Sequence, residues 1–228
     1  MLKFYIVGDQ SSIAHYHRKA IEHVGGEIVG GSDRDYQWND SRDVDYVVIC
    51  TPSYLHMEHI KEYLPLYKII VEKPMCLPWE PIVDDNRINI VMQLRYLEDL
   101  EYLKHMKVNF VRDKAYMNTW KGSFRKSGGL FYSLFIHYID LAIRYGATFT
   151  GSIHPAGEQR REFDFEYNII NLEKIDMQGC YNRMYEDIVE GKGIKPRDIF
   201  YLHWVMNREL PYYNNQSGYV YNYTFGGE

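Results

Sequence analysis

Hydrophobic positions along the first half of the chain alternate between two patterns. KFYIV (3–7) is an unbroken apolar run ending at Gly8, as expected of a strand buried on both faces. SSIAHYHRKAIEHV (11–24) places Ile13, Ala14, His17, Ala20, Ile21 and Val24 at helical spacing. Ser11 or Ser12 can cap that helix, and Gly25-Gly26 ends it. EIVGGSD (27–33) reads as a second strand finishing at Asp33, and VDYVVIC (44–50) as a third ending at Thr51-Pro52. LHMEHIKEYL (55–64) reads as a helix, YKIIVEK (67–73) as a fourth strand, and INIVMQLRY (88–96) contains a fifth. Apolar strands alternating with helices predict a parallel sheet covered on both faces.

The second half is less regular. Strand candidates lie at 107–119, 148–154 and 161–170, helices at 184–193 and 198–210, and the tyrosine-rich tail has no helical pattern. The predicted fold class is α/β. A doubly wound Rossmann domain covers 1–95, and a reduced α+β domain with a mostly antiparallel sheet covers 96–228.

Ligands of such sheets bind beyond the carboxyl ends of the strands. The unusual residues collect there: Gly8, Asp33, Thr51-Pro52 and Glu72-Lys73-Pro74. The loop GDQSSIA (8–14) is an incomplete dinucleotide fingerprint, with Ser11 near the place of a second glycine and Ala14 at the helix–strand contact. Asp33 stands 25 residues after Gly8, where an acid binds the ribose of NAD and repels the 2′-phosphate of NADP. Arg34 beside it leaves NADP as the less favoured choice. Lys73 enters the crevice as a partly desolvated base, while alternation sends Glu72 to the other side of the strand.

Net charge is −5, so no basic field argues for nucleic acid. No apolar run is long enough to span a membrane. The three cysteines lack metal-like spacing and read as reduced thiols, which predicts a cytoplasmic protein. His56 and His59 share a helix face without a third ligand, so no metal is expected. The 22 tyrosines suit sugar sites and subunit contacts.

TPSYLHMEHI followed by VEKP resembles the glucose–fructose oxidoreductase, inositol dehydrogenase and MocA family of two-domain nicotinamide-dependent sugar dehydrogenases. SGGLFYSLFIHYID (127–140) is similar to the family's second signature, with Gly128, Gly129, His137 and Asp140 matching. Ser133 stands in place of the usual acid and Phe135 in place of the usual glycine. EKPMCLPWE, MQLRY, WKGSFRKSGG and YEDIVEGKG together resemble the UDP-N-acetylglucosaminuronic acid 3-dehydrogenases within that family. Family members are usually about half as long again, which implies a cut-down second sheet.

The resemblance implies Lys73 and His137 as catalytic residues. It implies a cofactor set of Gly8, Gln10, Ser11, Ser12, Ile13, Asp33, Thr51, Pro52, Tyr54, His56, Glu72, Lys73 and Gln93. Substrate contacts fall to Lys73, Arg95, Trp120, Lys121, Ser127, Ser133 and His137. The expected reaction is oxidation of the 3-hydroxyl of a nucleotide-linked sugar acid by NAD, in a homo-oligomer built on the second sheet. A dehydrogenase of a free sugar or cyclitol, and a non-catalytic sugar-nucleotide binder, remain alternatives.

Overall fold

The computed structural model describes residues 1–33, 43–98, 100, 105–155, 175–214 and 221–225. The chain forms two compact units: Met1–Tyr96 with Asp176–Phe200, and Leu97–Ile175 with Tyr201–Glu228.

Unit 1 is built on a five-stranded sheet. Its strands are β1 (Lys3–Val7), β2 (Glu27–Ser32), β3 (Tyr46–Ile49), β4 (Lys68–Val71) and β5 (Ile88–Ile90), in the order β2-β1-β3-β4-β5. Every pairing is parallel. Val7 pairs with Ile49, Ile49 with Val71 and Val71 with Ile90, so the carboxyl ends of four strands stand level. The Rossmann-type α/β architecture is therefore the one the apolar runs predict.

Helix α1 (Ala14–His23) follows β1 and buries Ala14, His17, Ala20 and Ile21. Neither expected serine caps it: Ile13 holds the cap position and no side chain caps the end. Ser11 instead belongs to the turn, its N–H donating to the Gly8 carbonyl at 2.9 Å. Helix α2 (Ser53–Tyr63) starts directly at the tip of β3, with Pro52 at its cap. No helix bridges β4 and β5; residues 72–87 cross in irregular backbone.

Helix α6 (Met177–Val189) returns to unit 1, where a reading of 96–228 as one domain places it in the second. Its stripe of Cys180, Tyr181, Met184, Tyr185 and Ile188 is buried. It packs into the core of Phe4, Ile6, Ile21, Tyr46 and Val48. Apolar burial at about 25 cal/mol per Å² outweighs sequence proximity in deciding where a helix docks.

Unit 2 holds β6 (His105–Arg112), β7 (Thr148–Pro155) and β8 (Tyr221–Phe225) in that order. The sheet is mixed rather than mostly antiparallel, because β6 pairs parallel with β7 and only β8 runs antiparallel. Helix α5 (Gly129–Tyr145) is the reason, since a helical crossover returns the chain in the same direction. The strand expected through 119 stops at Arg112. Asp113 then caps the short α3 (Lys114–Met117), its carboxylate accepting from the Tyr116 N–H at 2.7 Å. The candidate strand at 161–170 lies outside the described residues. The tail supplies both the end of α7 (Phe200–Asn214) and β8. Among the described residues no helix is long and apolar enough to cross a membrane.

Phe135, the departure from the family's glycine, is fully buried and has a complementary partner in β7. A Cβ on Gly151 would lie 2.7 Å from the Phe135 ring and 2.6 Å from that of Phe149. The volume added on the helix is thus accommodated by a glycine on the strand it covers.

Candidate active site

The phosphate turn crosses the tip of β3. Gly8 has φ 82°, and a Cβ there would lie 2.7 Å from the Cys50 carbonyl carbon. Glycine is needed for both the left-handed backbone and the close approach. The Gly8 and Asp9 N–H groups both donate to the Ser32 carbonyl, at 2.8 and 3.0 Å, tying the turn to β2. The turn leads directly into α1, whose N-terminus favours an anion.

Three polar atoms of the expected cofactor set lie near this edge, buried and with no hydrogen-bond partner: Ser11 Oγ, Thr51 Oγ1 and Gln93 Oε1. Such a group costs about 1–3 kcal/mol unless something pairs with it. A dinucleotide with hydroxyl, amide and phosphate groups is chemically matched to that set. Asp33 follows β2 and is exposed, as a ribose-binding acid must be. Gln10 and Ser12 are exposed on the turn, while Ile13 and Tyr54 are half-buried beside the helix starts. Arg34 lies outside the described residues.

Lys73 is half-buried just beyond β4, joined to Pro74 by a cis peptide bond. Its N–H donates to Glu72 Oε2 at 3.3 Å. Glu72 is buried in a polar network. Glu72 Oε1 lies 3.0 Å from His17 Nε2 and accepts from the Tyr181 hydroxyl at 2.7 Å. His17 Nδ1 lies 2.7 Å from the Tyr185 hydroxyl. Burial alone would raise the Glu72 pKa, but the bonds from His17 and Tyr181 and the nearby Lys73 charge hold it below the ordinary carboxylate value. Burial, followed by the Glu72 charge, pushes Tyr181 well up. Two helices, α1 and α6, therefore converge on the residue before Lys73.

His17, Tyr181 and Tyr185 are absent from the sequence-derived site. His17 was placed only as a helix position facing the core. A histidine on an apolar helix face, with a glutamate ending a buried strand, is the signal for a buried pair. The tyrosines, more than 100 residues away in the chain, carry no such signal.

His56 bridges two strand ends. Its Nδ1 lies 2.7 Å from the Pro74 carbonyl and its Nε2 2.8 Å from the Thr51 carbonyl. Burial pushes its pKa down, opposed by those two carbonyls. It thus braces the Lys73-Pro74 turn against the tip of β3. Among the described residues no group of three or more His, Cys, Asp or Glu could hold a metal ion.

In unit 2 the second signature opens α5. Gly128 and Gly129 have φ 78° and 91°, a left-handed bend between α4 (Phe124–Ser127) and α5. Ser127 is buried; its hydroxyl donates to the Ser123 carbonyl at 3.0 Å and accepts from the Gly129 N–H at 3.1 Å. It holds the bend. Ser133 and His137 are four residues apart on α5 and so share a face. His137 and Asp140 are both buried. Trp120 and Lys121 are half-buried, the Lys121 ammonium lying 5.9 Å from the Trp120 ring and 5.5 Å from Tyr116. Arg95, in unit 1, donates to the Asp198 carbonyl at 3.4 Å. The structure thus gathers Lys73, Glu72, His56, Thr51 and Gln93 along one edge of unit 1. Ser127, Ser133 and His137 belong to unit 2.

Solved structures share this fold. The WlbA (WbpB) dehydrogenase from Thermus thermophilus, in complex with NAD and UDP-GlcNAcA, matches with TM-score 0.69 at 19% identity, over 92% of this chain and 95% of that one. A putative myo-inositol dehydrogenase from Sinorhizobium meliloti 1021 matches with TM-score 0.63 at 14% identity, over 99% of both chains. A probable dehydrogenase from Thermotoga maritima matches with TM-score 0.60 at 13% identity, over 93% of this chain and 97% of that one. The GFO/IDH/MocA family model, described as an oxidoreductase family with an NAD-binding Rossmann fold, matches residues 12–84. That stretch, which runs from the phosphate turn through the Glu72-Lys73-Pro74 tip, is similar to the NAD-binding domain of that oxidoreductase family.

Proposed function

We propose that this protein uses NAD to oxidise the 3-hydroxyl of a UDP-linked N-acetylated amino-sugar uronic acid. The observation that supports this best is Lys73, half-buried just beyond the carboxyl end of β4 at the edge of the parallel sheet. NAD bound at that edge supplies the hydride acceptor. Lys73 Nζ removes the hydroxyl proton, and His137 is the second proton-transfer candidate by its place in the SGGLFYSLFIHYID signature. Arg95 is the unit 1 candidate for receiving the carboxylate in a bidentate fork. Asp33 favours NAD over NADP. Ser127 carries a structural bond at the α5 bend, so in this scheme it shapes the substrate side rather than touching the reacting centre. We also assign the β6-β7-β8 sheet to a homo-oligomer contact; a strict monomer in light scattering would remove that assignment.

The substrate choice draws support from the motif set EKPMCLPWE, MQLRY and WKGSFRKSGG, and from the shared fold of a dehydrogenase solved with NAD and UDP-GlcNAcA. The test is absorbance of reduced nicotinamide after mixing protein and NAD with UDP-N-acetylglucosaminuronic acid, myo-inositol or glucose. Turnover is expected with the UDP-sugar acid alone. Turnover with inositol or glucose instead would replace the substrate. Tight NAD binding with no turnover of any of them would mark a binding protein.

A further inference from the structure

The phosphate turn contains an acid that a diphosphate-binding loop should avoid. Asp9 follows Gly8 directly, close to where a dinucleotide's diphosphate meets the helix N-terminus. Two features of this chain hold its side chain in place. The guanidinium of Arg18, one turn into α1, donates to Asp9 Oδ1. The Asp9 side chain also lies over Gly31 of β2, where a Cβ would stand 2.7 Å from Asp9 Cγ and 2.8 Å from Oδ2. Any larger residue at 31 would displace the carboxylate. The Asp9 side chain is 15% exposed and that of Arg18 40%, so the pair is seated but still reaches solvent.

That seat fixes where the charge lies. Gly31 is the penultimate residue of β2, and Asp33 is the first residue beyond the strand. The Asp9 carboxylate, over Gly31, therefore stands at the tip of β2, two residues along the chain from Asp33. In this fold that tip receives the adenosine ribose.

We infer that Asp9, seated over Gly31 and held by Arg18, is a second cofactor-specificity residue, acting with Asp33 against the 2′-phosphate of NADP. Its carboxylate adds negative charge at that position. It also occupies a guanidinium that would otherwise form a bidentate contact with the phosphate. Arg18 in turn screens the carboxylate from the diphosphate that both cofactors share. The inference rests on NAD binding at this edge.

Calorimetric titration of NAD and NADP into the wild-type, Asp9→Asn and Arg18→Met proteins tests it without any substrate. Asp9→Asn removes the charge and frees Arg18, so the NADP-to-NAD affinity ratio should rise by about tenfold, the equivalent of one modest charged contact. Arg18→Met leaves the carboxylate unscreened, so both cofactors should weaken and the ratio should fall. Wild-type protein that binds NAD, with a ratio unchanged in both variants or moving the same way in both, would overturn the inference alone. Wild-type protein that binds neither nucleotide would overturn the NAD reading, and the inference with it.

Discussion

The turn after β4 and the first turns of α5 each carry a residue assigned to catalysis, and different forces hold them. In unit 1 the residue before Lys73 is a buried carboxylate bonded by His17 and Tyr181, with His56 bracing the turn from the other side. In unit 2 the helix bearing His137 is fixed by aromatic packing. Phe135 lies 5.3 Å from Phe149 and 5.7 Å from Phe110, and Tyr138 stacks on Phe149 at 5.9 Å. A charged network fails abruptly, because removing one partner strands the others in a medium that cannot solvate them. Aromatic packing degrades by volume, one contact at a time. The Lys73 side is thus built for fixed position, and the His137 side tolerates exchange of volume, as Phe135 against Gly151 already shows.

Substitutions can separate the two modes. Glu72→Ala should have the largest effect on stability, about 3–5 kcal/mol in urea unfolding, because it leaves His17 and Tyr181 buried without their acceptor. A loss below 1 kcal/mol would mean that the network contributes little. Tyr181→Phe removes one hydrogen bond to a charge and should lose about 1.5–3 kcal/mol. Gly151→Val forces methyl groups against the rings of Phe135 and Phe149 and should lose about 1–3 kcal/mol by overpacking. The double variant Gly151→Val with Phe135→Leu should recover part of that loss. If it recovers nothing, the two positions do not share volume.

The smallest effect at neutral pH is one of titration. Glu72 has a folded pKa below its ordinary 4.5, so its stabilisation is complete above 4.5 and is lost as pH falls through the lower folded value. His56, whose pKa burial pushes below its ordinary 6.5, acts in the same direction at somewhat higher pH, because unfolding lets it take up a proton. Wild-type stability should therefore decline toward acid, and Glu72→Gln should flatten the lower part of that curve. An unchanged acid limb in Glu72→Gln would show that Glu72 is not held ionised.

The sequence reveals the sheet of unit 1 because its strands are near-continuous apolar runs. KFYIV, YVVI and KIIV have few other places to go than a covered parallel sheet. The edge residues follow from strand ends alone. What the sequence conceals is long-range. The return of α6 to unit 1 depends on Tyr181 and Tyr185 filling space between Phe4, Tyr16 and His17, and such contacts leave no periodic trace. The end of β6 at Arg112 is hidden in the sequence because Asp113 reads as an ordinary polar residue until its carboxylate caps α3. The parallel pairing of β6 and β7 follows from the crossover helix between them, which the period of α5 marks but the strand sequences do not.

The most direct test of Lys73 as the base at this edge is a paired measurement on Lys73→Met: NAD affinity by calorimetry, and turnover with UDP-N-acetylglucosaminuronic acid. NAD affinity should stay near that of the wild type, because only the reacting state loses its base. Turnover should fall by about 10²–10⁴-fold, the usual contribution of a positioned acid or base. Turnover at the wild-type rate in Lys73→Met would contradict the assignment.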